Sequence, residues 1–211
     1  MSVTGFWVVG VVSDRDIAHA QRESLGARAF GRQVPERRGI LEWWRGRSAQ
    51  ESFFDPSLSG PVPTEQALRL QDALDAMRPA DDQYEAIKEE VLQVVPQGEG
   101  VGLFCASTRK GDPFAALDYA LGPEVMAHFP GWCGDFLLDA AEVRAALPGA
   151  EAALGLSPER RGRVEERIRD WLEGMTGGAA HDLDDLVDGP LRVLRHGAQH
   201  GLGVAGLTLW Y

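Results

Sequence analysis

Two histidines near residue 200 have the spacing of a metal-binding pair. His196 and His200 lie four residues apart, so a helix would place both imidazoles on one face, as a zinc site requires. Aspartates within residues 182–188 precede the pair and could add ligands. The adjacent glutamate of the zinc-protease motif is absent, and Gly197 and Gly201 favour a helix that ends near the second histidine. The pattern therefore indicates either a solvent-facing pair or the site of a metal-assisted hydrolase.

Four neighbouring residues form a second candidate site, which would bind another protein. Trp43 and Trp44 are followed by Arg45 and Arg47 in a stretch that is rich in arginine. Because adjacent side chains diverge on a helix or a strand, we expect one indole to be buried and the other to be partly exposed. Such a tryptophan serves the core, anchors a protein contact or stacks on single-stranded bases. Since the rest of the chain is acidic, we favour a protein partner with an acidic patch.

The charge of the chain excludes several classes of partner. Its 211 residues include 21 basic and 32 acidic ones, which gives a formal net charge of −11. General binding to nucleic acid or to anionic lipid needs a positive surface. The sequence opens without a secretory leader, and no apolar run approaches the length of about 18 residues that a membrane span needs. We therefore expect a cytoplasmic protein without nucleic-acid or membrane partners.

A glycine-rich stretch and two cysteines complete the residues that could do chemistry. Gly98, Gly100 and Gly102 precede a predicted strand, whereas the glycines of a phosphate-binding loop follow a strand and open a helix. Cys105 and Cys133 form no C-x-x-C motif and are expected to be buried, reduced thiols. No catalytic motif remains. We therefore interpret the chain as a non-enzymatic protein-interaction module without a cofactor, with a metal-assisted hydrolase as the alternative.

Two β-type segments far apart in the chain predict how these residues are positioned. Thr4–Val12 is rich in aromatic and β-branched residues, and residues 204–211 have a similar composition. Asp188 and Pro190 suit the cap and the first turn of a helix that carries the histidine pair. We expect both β-type segments to enter one small sheet, packed with five to six helices, in a mixed α/β (α+β) protein. The length suits a single domain, 1–211.

The middle of the chain divides into an irregular part and a helical part. Residues 26–63 contain the Arg/Trp cluster, several prolines and little periodicity, which is typical of an irregular connection. Residues 64–97 contain two apolar stripes at helical spacing, and Thr64 can cap the first. The short loop between the stripes predicts an antiparallel helical pair, which could be an insertion. Further along, Asp139 is expected to cap a helix that ends at Pro148.

Three stretches of the chain follow the element order of a known family. They read MSVTGFWVVGVVSDRDIAHA, then GDPFAALDYALGPEV through FLLDAAEVRAALPGAEAAL, and finally LRVLRHGAQHGLGVAGLTLWY. In these stretches, which span about half the chain, the sequence resembles the YfbM-like family of bacterial proteins. The resemblance implies an opening strand with a capped helix, a short strand with an "EV" helix, and a closing helix and strand. It does not extend to residues 26–99, and it implies no activity, cofactor or catalytic residue.

Overall fold

The computed structural model describes residues 3–23, 30, 41–47, 51–78, 82–96, 100–176 and 183–211, in which six strands and eight helices form. The strands are β1 (Thr4–Val12), β2 (Phe54–Asp55), β3 (Val62–Pro63), β4 (Leu103–Arg109), β5 (Phe136–Leu138) and β6 (Gly203–Trp210). The helices are α1 (Asp14–Glu23), α2 (Glu65–Met77), α3 (Asp82–Val94), α4 (Pro113–Leu121), α5 (Pro123–Met126), α6 (Ala140–Leu154), α7 (Pro158–Thr176) and α8 (Leu183–His200). The predicted mixed α+β class is confirmed.

The two predicted β-type segments lie side by side in the centre of the main sheet. Its order is β4-β1-β6-β5, and every neighbouring pair is antiparallel. β1 and β6 pair from Gly5 opposite Trp210 to Val12 opposite Gly203. The expectation that both segments share one sheet is therefore confirmed. The small hairpin of β2 and β3 forms a separate two-stranded sheet within the segment that was predicted to be irregular.

Helices cover both faces of the main sheet, because its central strands are apolar on both sides. Along β1, Trp7 and Val9 belong to one hydrophobic cluster and Val8 and Val12 to a second, as the alternation of side chains along a strand requires. The first cluster contains the buried residues of α2, α4, α6, α7 and α8. The second contains those of α1 and α3. Strands buried on both faces carry continuous apolar runs, which agrees with the composition of β1.

The predicted helical pair within residues 64–97 does not pack as a pair. Leu70 and Leu74 of α2 lie in the first cluster, whereas Ile87 and Val91 of α3 lie in the second. The two helices therefore contribute to the cores on opposite faces of the sheet, and the expectation of antiparallel neighbours is wrong. An apolar stripe shows that a helix buries one side, but it does not show what that side contacts.

Two prolines lie inside helices that they were expected to bound. α6 continues past Pro148 to Leu154, and α8 contains Pro190 after starting at least seven residues upstream, at Leu183. Proline in a helix interior removes one backbone hydrogen bond and strains the preceding turn. Buried residues offset that cost in both helices. In α6 they follow the proline and include Leu154, and in α8 they precede it and include Leu186. The predicted helix boundaries at these prolines are therefore wrong.

The helices outnumber the five to six expected because the segment at residues 113–126 forms two more, α4 and α5. Every residue of α4 is buried, as expected for a helix that is apolar all round. Asp112 caps it by accepting a hydrogen bond from the backbone nitrogen of Phe114 at 2.9 Å. No helix in the described part of the chain combines the length and the apolar character that crossing a bilayer demands.

A buried ion pair binds the backbone of β6 beyond the end of the short strand β5. β5 pairs with β6 only as far as Gly206. Beyond that point, Asp135 accepts a hydrogen bond from the backbone nitrogen of Thr208 at 2.6 Å, and Lys88 donates to the carbonyl oxygen of Thr208 at 2.9 Å. The charged groups of Lys88 and Asp135 lie 3.2 Å apart, and both side chains are almost fully buried. The Lys88–Asp135 pair thus takes the place of a strand and connects α3 to the sheet.

A glycine in α8 sets how closely that helix approaches the sheet. A Cβ atom added at Gly189 would lie 2.2 Å from Cδ2 of Phe104, which packs edge-to-face on Trp7. We expect Gly189→Ala to lower the free energy of unfolding by about 1–3 kcal/mol, because a well-packed core absorbs an extra methyl group poorly. Urea denaturation measures this change. Gly162→Ala on α7, where no atom lies within 4 Å, is the control, and it should raise stability by about 0.5–1 kcal/mol. Equal gains at both positions would contradict the close packing.

Candidate functional site

Among the described residues, the histidine pair and the aspartates before it do not converge into a metal site. The rings of His196 and His200 are neighbours on α8, with centroids 4.1 Å apart. Asp184 and Asp188 instead bind Arg161 of α7, at 2.7 and 2.8 Å. His181 and Asp182 lie outside the described residues. Within the described part of the chain, no group of three or more histidine, cysteine, aspartate or glutamate residues could hold a metal ion.

The two tryptophans of the predicted contact cluster diverge, as expected from their adjacency. Trp44 is fully buried and packs on Phe53 and Tyr119, with ring centroids 5.1 and 6.2 Å away. Trp43 is half-buried and stacks on Phe53, and the guanidinium of Arg69 lies 4.3 Å from the centroid of its ring. Trp44 is therefore a core residue that holds the turn of residues 41–47 in place. Because Trp44 is buried, a direct contact with a partner would fall to Trp43, Arg45 and Arg47, and the binding role of the cluster stays a prediction.

The two arginines of the same cluster are exposed and only loosely paired. Arg45 lies 3.4 Å from Glu42, and Arg47 lies 3.9 Å from Glu51. Arg47 also donates a hydrogen bond to the carbonyl oxygen of Trp43. Exposed pairs of this kind contribute about 0–1 kcal/mol. Arg45 can therefore exchange Glu42 for a carboxylate of another protein at little cost, whereas Arg47 also faces the buried Oε2 atom of Glu51.

Next to the 41–47 turn is a cavity of about 460 Å³. It lies between this turn, α4, α5 and the loop of residues 127–133. Most of the residues that line it have apolar side chains, among them Leu74 and Met77 of α2, Phe114, Met126, Phe129 and Trp132, although polar atoms form much of its accessible surface. Its charged or thiol-bearing wall residues are Glu42, Arg45, Asp118 and Cys133. We call it the Asp118 cavity.

Asp118 is a buried acidic residue of this cavity, and hydrophobic packing of the core does not account for its carboxyl group. Its side chain is 4% exposed, and Oδ2 has no hydrogen-bond partner. Burial raises the pKa of its carboxyl group from 3.8 to about 7. A buried polar atom without a partner is rare in folded proteins, and a strongly shifted pKa inside a cavity is a mark of functional sites. Asp118 is not among the residues predicted from the sequence, although it is the only charged residue in the otherwise apolar segment PFAALDYAL.

Tyr119, the neighbour of Asp118, fixes the other side of α4. Its hydroxyl accepts a hydrogen bond from the backbone nitrogen of Phe53 at 3.1 Å. Arg167 of α7 lies over its ring, 4.2 Å from the centroid, and donates to its carbonyl oxygen at 3.1 Å. These contacts hold α4 against α7 and the 41–47 turn. Asp118 is consequently held in the cavity wall by a rigid part of the core.

A tight loop with unusual backbone angles, residues 131–135, forms part of the cavity wall. Gly131, Cys133 and Gly134 have φ of 88°, 52° and 86°, and positive φ is uncommon for a residue other than glycine. Trp132 and Asp135 exchange two backbone hydrogen bonds, of 2.9 and 3.0 Å, and so close the loop. The indole nitrogen of Trp132 donates to the carbonyl oxygen of Met77 at 3.1 Å. The loop thus places Trp132 and Cys133 in the wall of the cavity in a fixed arrangement.

Fold and site together define a mixed α+β protein with a cavity whose described lining includes the buried carboxyl group of Asp118, one oxygen of which has no hydrogen-bond partner. No family model, curated protein or solved structure matches this chain. The resemblance to the YfbM-like family therefore stays a prediction. Roles for Asp118 and for the 41–47 turn have to be argued from geometry and charge.

Proposed function

We propose that this chain is a non-enzymatic protein-interaction module whose partner inserts one group into the Asp118 cavity. The observation that carries the proposal is the position of Arg45. This residue belongs both to the exposed arginines of the 41–47 turn and to the wall of the cavity. The predicted contact cluster and the cavity are therefore one continuous surface.

The surface has the features of a protein contact with a central anchor. Binding energy at such contacts concentrates in a few groups that fill well-packed pockets, with less important polar contacts around them. The apolar wall of the Asp118 cavity provides the pocket, and its volume of about 460 Å³ is enough for a side chain or a small ligand. Arg45 and Arg47 provide polar contacts for an acidic patch on the partner. Trp43 contributes its exposed edge beside them.

Two observations weigh against catalysis as the main function. Among the described residues that line the cavity there is no histidine that could act as a base for the Cys133 thiol. The alternative, a metal-assisted hydrolase at His196 and His200, gains no support, because the nearby aspartates bind Arg161. Binding is therefore the function that the geometry supports best.

The proposal predicts that two kinds of change abolish the same interaction. Arg45→Glu combined with Arg47→Glu reverses the charge of the rim, and Ala127→Trp obstructs the cavity from an exposed position of its wall. Each should weaken binding of the partner by about thirtyfold or more, the loss typical of a hot spot, and leave thermal unfolding unchanged. The partner is first identified by affinity purification with the wild-type protein. Its affinity for each purified variant is then measured by calorimetry.

Arg163→Glu is the matched control, because Arg163 is equally exposed and forms a similar surface pair with Glu159 on α7. It should leave the affinity unchanged. If the rim and cavity variants bind the partner as tightly as this control, the proposed surface is wrong.

A further inference from the structure

We infer that the group received by the Asp118 cavity is an organic cation, an ammonium or guanidinium group on an apolar stem. The inference rests on the proposed function insofar as the cavity must be a binding site. It goes further by naming the chemistry of the occupant. A lysine or arginine side chain of a protein partner and a free alkylamine both have this chemistry.

No described side chain neutralises Asp118. Oδ2 of this buried carboxylate lacks a donor. Arg45, the cation in the same wall, is exposed and pairs with Glu42. Arg167 is engaged by the backbone oxygens of Glu51 and Tyr119. Three other charged or titratable groups lie around α4. Arg78 binds Asp112, and Glu124 accepts a hydrogen bond from the Gly46 nitrogen. The third group is the thiol of Cys133 in the cavity wall.

The shape and lining of the cavity suit a cation on an apolar stem. A buried carboxylate is stabilised most by a cation that donates a hydrogen bond to it, because such bonds are about twice as strong as neutral ones. The apolar wall of Leu74, Met77 and Phe129 suits a hydrocarbon stem. The faces of Phe129 and Trp132 can also attract a cation. One group with both parts, a charged end and an apolar stem, therefore fits the whole cavity.

Other classes of occupant fit less well. An anion would be repelled by the ionised carboxyl group of Asp118. Calcium and magnesium need six or more oxygen ligands, whereas the described carboxylates in the wall are only Glu42 and Asp118. A neutral alcohol can fill the apolar part but leaves the buried charge unpaired. The decisive comparison is therefore between a cation and a neutral molecule of the same shape.

Binding of a cation should depend on pH in a defined direction. Burial raises the pKa of the empty Asp118 site to about 7, so the carboxyl group is protonated below this pH and ionised above it. A cation binds the ionised form, so it must displace the proton at low pH. The apparent affinity should fall about tenfold from pH 8 to pH 6, and another tenfold for each unit below.

The test compares hexylamine with hexanol and hexanoate at pH 8 and pH 6. The readout is NMR titration of a ¹³C-carboxyl-labelled protein, in which the Asp118 signal reports both occupancy and ionisation. We expect hexylamine to bind with the stated pH dependence and to lower the pKa of Asp118. Asp118→Asn should weaken hexylamine by at least about tenfold and remove the pH dependence, because the charged acceptor is gone. Asp72→Asn, at an exposed position of α2, is the control and should change neither.

The outcomes separate this inference from the proposed function. Equal binding of hexanol and hexylamine, or no binding of any probe, overturns the cation inference, and the partner experiment with Arg45 and Arg47 still stands. Binding of a short lysine peptide but not of its norleucine analogue supports a partner's side chain as the source. Binding of the free amine without the peptide supports the cation but contradicts a protein anchor.

Discussion

Asp118→Asn is expected to raise the free energy of unfolding by about 4 kcal/mol at pH 8 and to change it little at pH 4. The reason is the raised pKa of the buried carboxyl group, which burial shifts from 3.8 to about 7. At pH 4 the group is largely protonated in the folded protein, and asparagine has a similar shape and no charge. As the pH rises, the unfolded chain releases its proton first. The wild-type fold therefore loses about 1.4 kcal/mol for each unit of pH between the two pKa values.

Urea denaturation of both proteins at pH 4, 6 and 8 measures this difference directly. The gain in the variant should grow over this interval and level off above pH 7. Asp72→Asn removes an exposed carboxylate from α2 and should stay within about 0.5 kcal/mol of the wild type at every pH. If the free energies of unfolding of the wild type and of Asp118→Asn change with pH in parallel, the pKa of the Asp118 carboxyl group is not raised. The group then has a partner in solution that offsets its burial.

The second large effect concerns the buried ion pair beside β6, where Lys88→Met is expected to destabilise the fold by about 3–5 kcal/mol. Removing one member of a buried pair leaves the other as an uncompensated charge. Asp135 would keep its hydrogen bonds from Thr208 but lose the cation 3.2 Å away. Methionine has a similar length, so the packing of α3 changes little.

The pH dependence distinguishes loss of the charge pair from loss of packing. Burial already raises the pKa of Asp135, while Lys88 and the hydrogen bonds from Thr208 oppose that shift. Without Lys88 the pKa should rise further, so the destabilisation should be largest at pH 8 and smaller at pH 4. Adding Asp135→Asn to the Lys88→Met variant should recover part of the loss at pH 8. A loss that is the same at both pH values would contradict this explanation.

Local patterns were sufficient for the elements that depend on local chemistry. The composition of β1 predicts its bounds, and the spacing of Asp139 and Glu142 predicts a capping box. In the structure Asp139 accepts from the Ala141 and Glu142 nitrogens at 2.8 Å, and Glu142 accepts from the Asp139 nitrogen at 3.0 Å. The divergence of adjacent tryptophans was predictable for the same reason, since it follows from backbone geometry alone.

The errors concern features that tertiary packing decides. By local rules Pro148 ends a helix and Pro190 begins one, but burial of the turn after Pro148 and of the turn before Pro190 keeps α6 and α8 continuous. Asp118 was missed because no neighbouring residue in the sequence indicates whether a buried carboxylate will find a partner. The available signal was a single charged residue inside an apolar run, which predicts a helix buried on all sides. That signal identifies the residue to inspect, and only the structure identifies the cavity.

The central position of β1 and β6 has a consequence for biosynthesis. β1 leaves the ribosome about two hundred residues before β6, the strand that covers its second edge. At about 5–20 residues per second, translation separates the two by roughly ten to forty seconds. During that time β4 can cover only one edge of β1, and an unpaired apolar strand attracts other chains. The nascent polypeptide should therefore depend on holding chaperones until β6 has emerged and paired with β1.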